Sequence, residues 1–152
     1  MSDFPEVSKA LVAVKGEKVD EEAITLACTM AKGRKGKVYV VYVIEVKRAL
    51  PLDAEIEPEV QKAEQVLKRA ERIAHDVGFV VETEVLQARE AGPAIVDEAV
   101  ERGVDTIFMG MPYKKHFGEF DLGSAIPYVL KNAPCRVSLW RETMESGSSG
   151  EK

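Results

Sequence analysis

The run Lys9-Ala-Leu-Val-Ala-Val14 is short, apolar and β-branched, and Lys15-Gly16 closes it with a turn signal, which predicts a buried first strand. From Asp20 the period changes: Ile24, Ala27, Cys28 and Ala31 fall on helical steps until Gly33 and Gly36 stop the helix. Lys37 to Val46 is dense in valine and tyrosine and predicts a buried central strand. Lys47 to Pro58 reads as loop. Val60, Ala63, Leu67, Ala70, Ala74 and Val77 then alternate three- and four-residue steps, giving one apolar stripe along a long helix that ends at Gly78.

The alternation continues to the C-terminal end. Phe79 to Leu86 predicts a third strand, and Gly92-Pro93 opens a helix whose buried face would be Ile95, Val96, Ala99 and Val100, with Gly103 as its cap. Val104 to Met109 predicts a fourth strand. A short helix containing Ile126, Val129 and Leu130 follows, with Pro127 in its first turn, and Asn132-Ala-Pro134 separates it from a fifth strand over Cys135 to Trp140. Strands alternating with helices predict an α/β fold, a three-layer α/β/α sandwich around a five-stranded parallel, doubly wound, Rossmann-like sheet. In such sheets ligands bind beyond the carboxyl ends of the strands, where strand order reverses. The expected organisation is an N-terminal extension over 1–8, one domain over 9–141 and a flexible tail over 142–152.

Composition narrows the function. With 152 residues, 45% of them hydrophobic and 31% charged, the chain has enough apolar material for one packed domain. A net charge of −5 gives no footprint for a nucleic-acid partner. The apolar run around Val38 to Ile44 is far short of the ~20 residues a membrane helix needs, and the first residues do not read as a secretory signal. A cytoplasmic protein with no membrane partner is expected. Cys28 and Cys135 lie too far apart for a CxxC pair or a zinc cluster and read as reduced, small apolar residues. His75 reads as a surface residue.

The stretch from Met111 to Leu122 is long for a connection without structure of its own, and it carries the chain from the fourth strand to Gly123-Ser124 at a helix start. Helix N–H groups, a positive dipole end and a hydroxyl there suit a phosphate; a plain N-cap by Ser124 uses the same residues. Lys114, Lys115 and His116 add cationic groups in the loop, read either as phosphate neutralisers or as solvated side chains. No paired carboxylates, metal-ligand spacing or nucleophile beside a histidine supports a specific catalytic mechanism.

Val-Asp-Thr-Ile-Phe-Met-Gly110, the loop after it, and Gly123-Ser124-Ala-Ile-Pro-Tyr-Val-Leu-Lys-Asn-Ala-Pro-Cys-Arg-Val137 resemble the C-terminal half of universal stress proteins, the Ala133-Pro134-Cys135 step above all. Tyr42-Val43-Ile44 and Gly92-Pro93 extend the resemblance over roughly residues 9 to 141. It implies a strand order of 3-2-1-4-5 and a nucleotide crevice between the first and fourth strands. Gly110, Gly123 and Ser124 match the family's nucleotide-binding pattern with its nine-residue gap intact, whereas Tyr113 stands at the second glycine and Lys15 where ATP-binding members carry an aspartate.

On this resemblance the expected function is a stress-response module that takes ATP, ADP or AMP, with magnesium. Ala13, Val14 and Val43 would wall the base; backbone amides around Gly110, Gly123, Ser124 and Ala125 would hold phosphates; Lys15, Met109 and Tyr113 complete the candidate set. The alternative, suggested by Lys15 and Tyr113, is a nucleotide-free interaction scaffold. In either case the resemblance implies a homodimer through the edge strand Cys135 to Trp140.

Overall fold

The structure is a computed structural model that describes residues 6–113 and 124–144. Its elements follow in strict alternation: β1 (Lys9–Val14), α1 (Val19–Lys32), β2 (Lys37–Glu45), α2 (Glu57–Asp76), β3 (Glu82–Ala88), α3 (Ala91–Arg102), β4 (Thr106–Met111), α4 (Ala125–Asn132) and β5 (Arg136–Arg141). All pairings are parallel, and the sheet order is β3-β2-β1-β4-β5. Strand β1 is central, with Leu11 flanked by Tyr39 on one side and Ile107 on the other.

The two-residue repeat of the strands sorts their side chains into two cores. Ala10, Val12 and Val14 join Val38, Val40, Tyr42, Ile44 and Phe108 beneath α1 and α2. Leu11, Tyr39, Val41, Ile107 and Met109 face the other way, against Ile95, Val96, Ala99, Ile126 and Val129 of α3 and α4. Both faces of the central strands are therefore covered, which is why β1 and β2 read as continuous apolar runs. The stripe expected along α2 is present: Ala63, Leu67, Ala70 and Ala74 are buried, and Val60 and Val77 pack against the same core.

Some expectations need correction. The fourth strand runs over Thr106–Met111, two residues later than the expected Val104 to Met109. The third strand begins at Glu82, not Phe79. Gly78 takes a left-handed φ of 75°, and Phe79 returns its N–H to the Ala74 carbonyl at 2.9 Å, so this segment closes α2 before any ladder can form. Val80 is 87% exposed as a result. In α3, Val100 is 58% exposed although Ile95, Val96 and Ala99 are buried. At 100° per residue Val100 falls about 40° outside the stripe spanned by the buried positions, beyond the reach of the sheet. His75 is exposed, Cys28 is buried and Cys135 is half-buried, both as free thiols.

Candidate functional site

Strands β1 and β4 are paired neighbours, but the helices that follow them, α1 and α4, lie on opposite faces of the sheet, and a crevice of about 730 Å³ opens beyond the two carboxyl ends. Ala13 and Val14 of β1, Val41 and Val43 of β2, and Met109 of β4 form its floor, with Ile95 and Ile126 behind. Lys15, Gly110, Ser124 and Ala125 also line it. Eight of the ten candidate residues thus converge on one cavity. Gly123 lies outside the described residues, as do Gly118, Lys114, Lys115 and His116.

The tenth candidate, Tyr113, is a correction: it is not part of the crevice wall. Glu142 donates its N–H to the Met111 carbonyl at 2.9 Å, prolonging the β4–β5 pairing, and its carboxylate accepts the Tyr113 N–H at 2.9 Å. The Tyr113 ring lies 4.9 Å from the Arg141 guanidinium. The residue is held toward β5, and the bulk that threatened the cavity from sequence is directed elsewhere.

The loop after β1 carries an anion of its own. Gly16 adopts φ 87°, and this turn points three consecutive N–H groups at one atom, Oδ2 of Asp20: Lys15 at 3.1 Å, Gly16 at 2.7 Å and Glu17 at 2.9 Å. Such a nest of amides is the arrangement that elsewhere receives phosphate. Here it is filled internally. Asp20 is only 7% exposed; burial pushes its carboxyl above the ordinary range, opposed by the three N–H bonds and reinforced by the neighbouring Glu17 charge.

Gly110 has a second use besides lining the crevice. A Cβ there would stand 2.9 Å from Cγ1 of Val19, so the missing side chain lets the first residue of α1 pack onto the end of β4. Ser124 precedes α4 in a helical conformation, φ −95° and ψ −24°, and its hydroxyl makes no capping bond. The plain N-cap role considered for Ser124 is therefore not the one observed, and the first-turn N–H groups of α4 face the crevice end of the helix.

Several lining residues were not singled out from sequence. Lys47 and Leu50 come from the segment after β2, Ile56 immediately precedes α2, and Glu59 and Lys62 come from α2 itself. Side chains at the end of β3 fix that segment: Arg89 Nη1 donates to the carbonyls of Val46, Lys47 and Leu50 at 3.3, 2.7 and 2.9 Å. Gln87 donates to those of Leu52 and Ala54 at 2.8 and 2.9 Å. Glu45 accepts the Ala91 N–H at 2.8 Å and so caps α3. The remaining lining acid, Glu17, has a buried Oε1 with no hydrogen-bond partner among the described residues. A glycine turn followed by acidic residues at a helix start was the available signal for Asp20; no periodicity marks Glu17 or the Arg89 and Gln87 contacts.

Fold and cavity together define an open, doubly wound α/β domain with a crevice at its switch point. A model of the universal stress protein family matches residues 6–141. A universal stress protein of Methanocaldococcus jannaschii is 31% identical over 135 residues, covering 85% of this chain and 79% of that protein. A solved universal stress protein from Archaeoglobus fulgidus superposes with a TM-score of 0.74 at 25% identity, covering 87% of this chain and 97% of that one. A structure from the same organism in complex with dAMP gives 0.69 at 25% identity, with 87% and 96% covered. The chain belongs to the universal stress protein family. No helix among the described residues is long and apolar enough to cross a membrane.

Proposed function

We propose that this protein is a stress-response module that binds an adenine nucleotide in the crevice between β1 and β4. The observation that carries this reading is the cavity itself: about 730 Å³, in the range of small-ligand sites, with an apolar floor beneath charged walls. Val14, Val43 and Met109 offer a surface for a purine face. The amides after β1 are committed to Asp20, so phosphates belong at the other end, beside Gly110 and the N-terminus of α4. Lys15, Lys47 and Lys62 line the same cavity and supply positive charge. The dAMP complex of the Archaeoglobus fulgidus relative supports the same ligand class.

Among the described residues no three His, Cys, Asp or Glu side chains group to hold a metal, so magnesium would be carried on the phosphates. Isothermal titration with ATP, ADP and AMP in the presence of magnesium tests the proposal. Micromolar binding is expected; silence at millimolar ligand overturns it.

A second reading, a dimeric scaffold working without nucleotide, draws on β5. This strand lies at the sheet edge, where N–H and C=O groups point away from the ladder, and Trp140 is 41% exposed at its end. Mass spectrometry of small molecules released from the denatured protein separates the two: a stoichiometric adenine nucleotide favours the first.

A further inference from the structure

We infer that Glu17 is the crevice's hydrogen-bond acceptor for the ligand, taking either a sugar hydroxyl or the exocyclic amine of the base; this rests on the nucleotide reading above. Glu17 lines both the main crevice and a smaller hollow of about 370 Å³ between α1 and α2. Its backbone is fixed at both ends, the N–H on Asp20 Oδ2 at 2.9 Å and the carbonyl accepting the Asp20 N–H at 3.0 Å. The side chain therefore projects from a rigid turn. Its Oε1 is buried without a partner among the described residues, a costly state that native proteins rarely keep without a use.

Lys15, Lys18, Lys62 and Gln65 line the same two cavities, and among the described residues none of them bonds Oε1. The three loop amides bond Asp20, and Arg69, which lines the smaller hollow, pairs with Glu21 at 3.3 Å. Asp20 is itself an acceptor and adds like charge. The missing donor is then best supplied from outside. A nucleotide's phosphates bring none and are repelled by a carboxylate, whereas its hydroxyls and its 6-amino group are neutral donors. Glu17 thereby orients the ligand, nucleoside toward the β1 turn and phosphate toward α4.

The test is titration of wild type, Glu17→Gln and Glu17→Ala with AMP, its 2′,3′-dideoxy form, and purine riboside monophosphate, which lacks the 6-amino group. Wild type should prefer AMP to one of the two analogues. Glu17→Ala should bind AMP about ten-fold more weakly or worse and lose that preference, whereas Glu17→Gln, which keeps an accepting amide oxygen, should retain most of both. The analogue whose discrimination disappears identifies the donor. An alanine variant that keeps wild-type affinity and preference overturns the inference while leaving nucleotide binding intact; a wild type that binds none of the three overturns both. In the free protein, Glu17→Gln should leave the urea midpoint unchanged or raised, because a charge without a donor is removed. A lowered midpoint would reveal an internal partner and defeat the assignment independently of any ligand.

Discussion

Replacing Asp20 with alanine removes the single oxygen on which three consecutive backbone N–H groups converge, at 3.1, 2.7 and 2.9 Å. A typical intramolecular hydrogen bond contributes about 1 kcal/mol net, and three donors in a part-buried turn set the loss for Asp20→Ala at about 3 kcal/mol. The charge itself adds little, because the carboxyl is 7% exposed and its desolvation offsets the gain from charge-assisted bonds. Since one oxygen accepts all three bonds, an amide oxygen can take its place, and Asp20→Asn should cost less than about 1 kcal/mol. Burial raises the folded-state carboxyl above its ordinary 3.8, so the folded protein holds this proton longer than the unfolded chain. The contribution of Asp20 to stability thus falls as pH rises through that window, and Asp20→Asn should flatten the profile there. Urea denaturation of the three proteins between pH 3.5 and 7, compared at equal m-value, is the assay. An alanine variant within about 0.5 kcal/mol of wild type would refute the nest, and an asparagine variant as damaged as alanine would refute the neglect of charge.

Other outcomes follow from the same geometry. Gly110→Ala should cost about 1–3 kcal/mol, as a Cβ 2.9 Å from Val19 Cγ1 must push α1 off the end of β4; thermal melting checks it, and an unchanged melting temperature contradicts that close contact. Burial pushes the Cys28 thiol from 9.0 up to about 11, so the unfolded chain ionises first and stability falls as pH rises across that interval, by up to about 3 kcal/mol. Cys28→Ala should trail wild type by about 1 kcal/mol at pH 7 and overtake it before pH 11, whereas parallel profiles would show that the thiol does not titrate this way. If β5 forms the proposed dimer edge, Val137→Pro should give monomer by light scattering, and a persistent dimer would move the interface elsewhere.

The layered fold was legible because burial on both faces of a parallel sheet writes itself into uninterrupted runs: Lys9–Val14 appears at the expected limits, and Ala63, Leu67, Ala70 and Ala74 lie on their stripe. Periodicity carries no order of strands; the 3-2-1-4-5 arrangement came from resemblance around Gly110 and Ala133-Pro134-Cys135. Element ends were harder, since the Gly78 turn and the position of Val100 depend on local closure and neighbouring layers rather than on hydropathy. The crevice was half legible. Residues at strand ends could be placed from topology, but Glu17, Lys62 and Leu50 enter through turns and a helix whose approach is fixed by contacts distant in sequence. The place of Tyr113 was illegible for the same reason: its N–H is held by Glu142, 29 positions away, and its ring lies beside Arg141.

The outer wall of the crevice has no regular structure between Val46 and Ile56; five of its carbonyls hang from two side chains at the end of β3, Gln87 and Arg89. That strand is the sheet's margin, paired on one side by β2 alone. Fraying of the margin would therefore slacken the cavity before the central strands yield, giving the pocket a lower threshold of opening than the domain that houses it. Moderate heat would then loosen the crevice of a protein that is still folded.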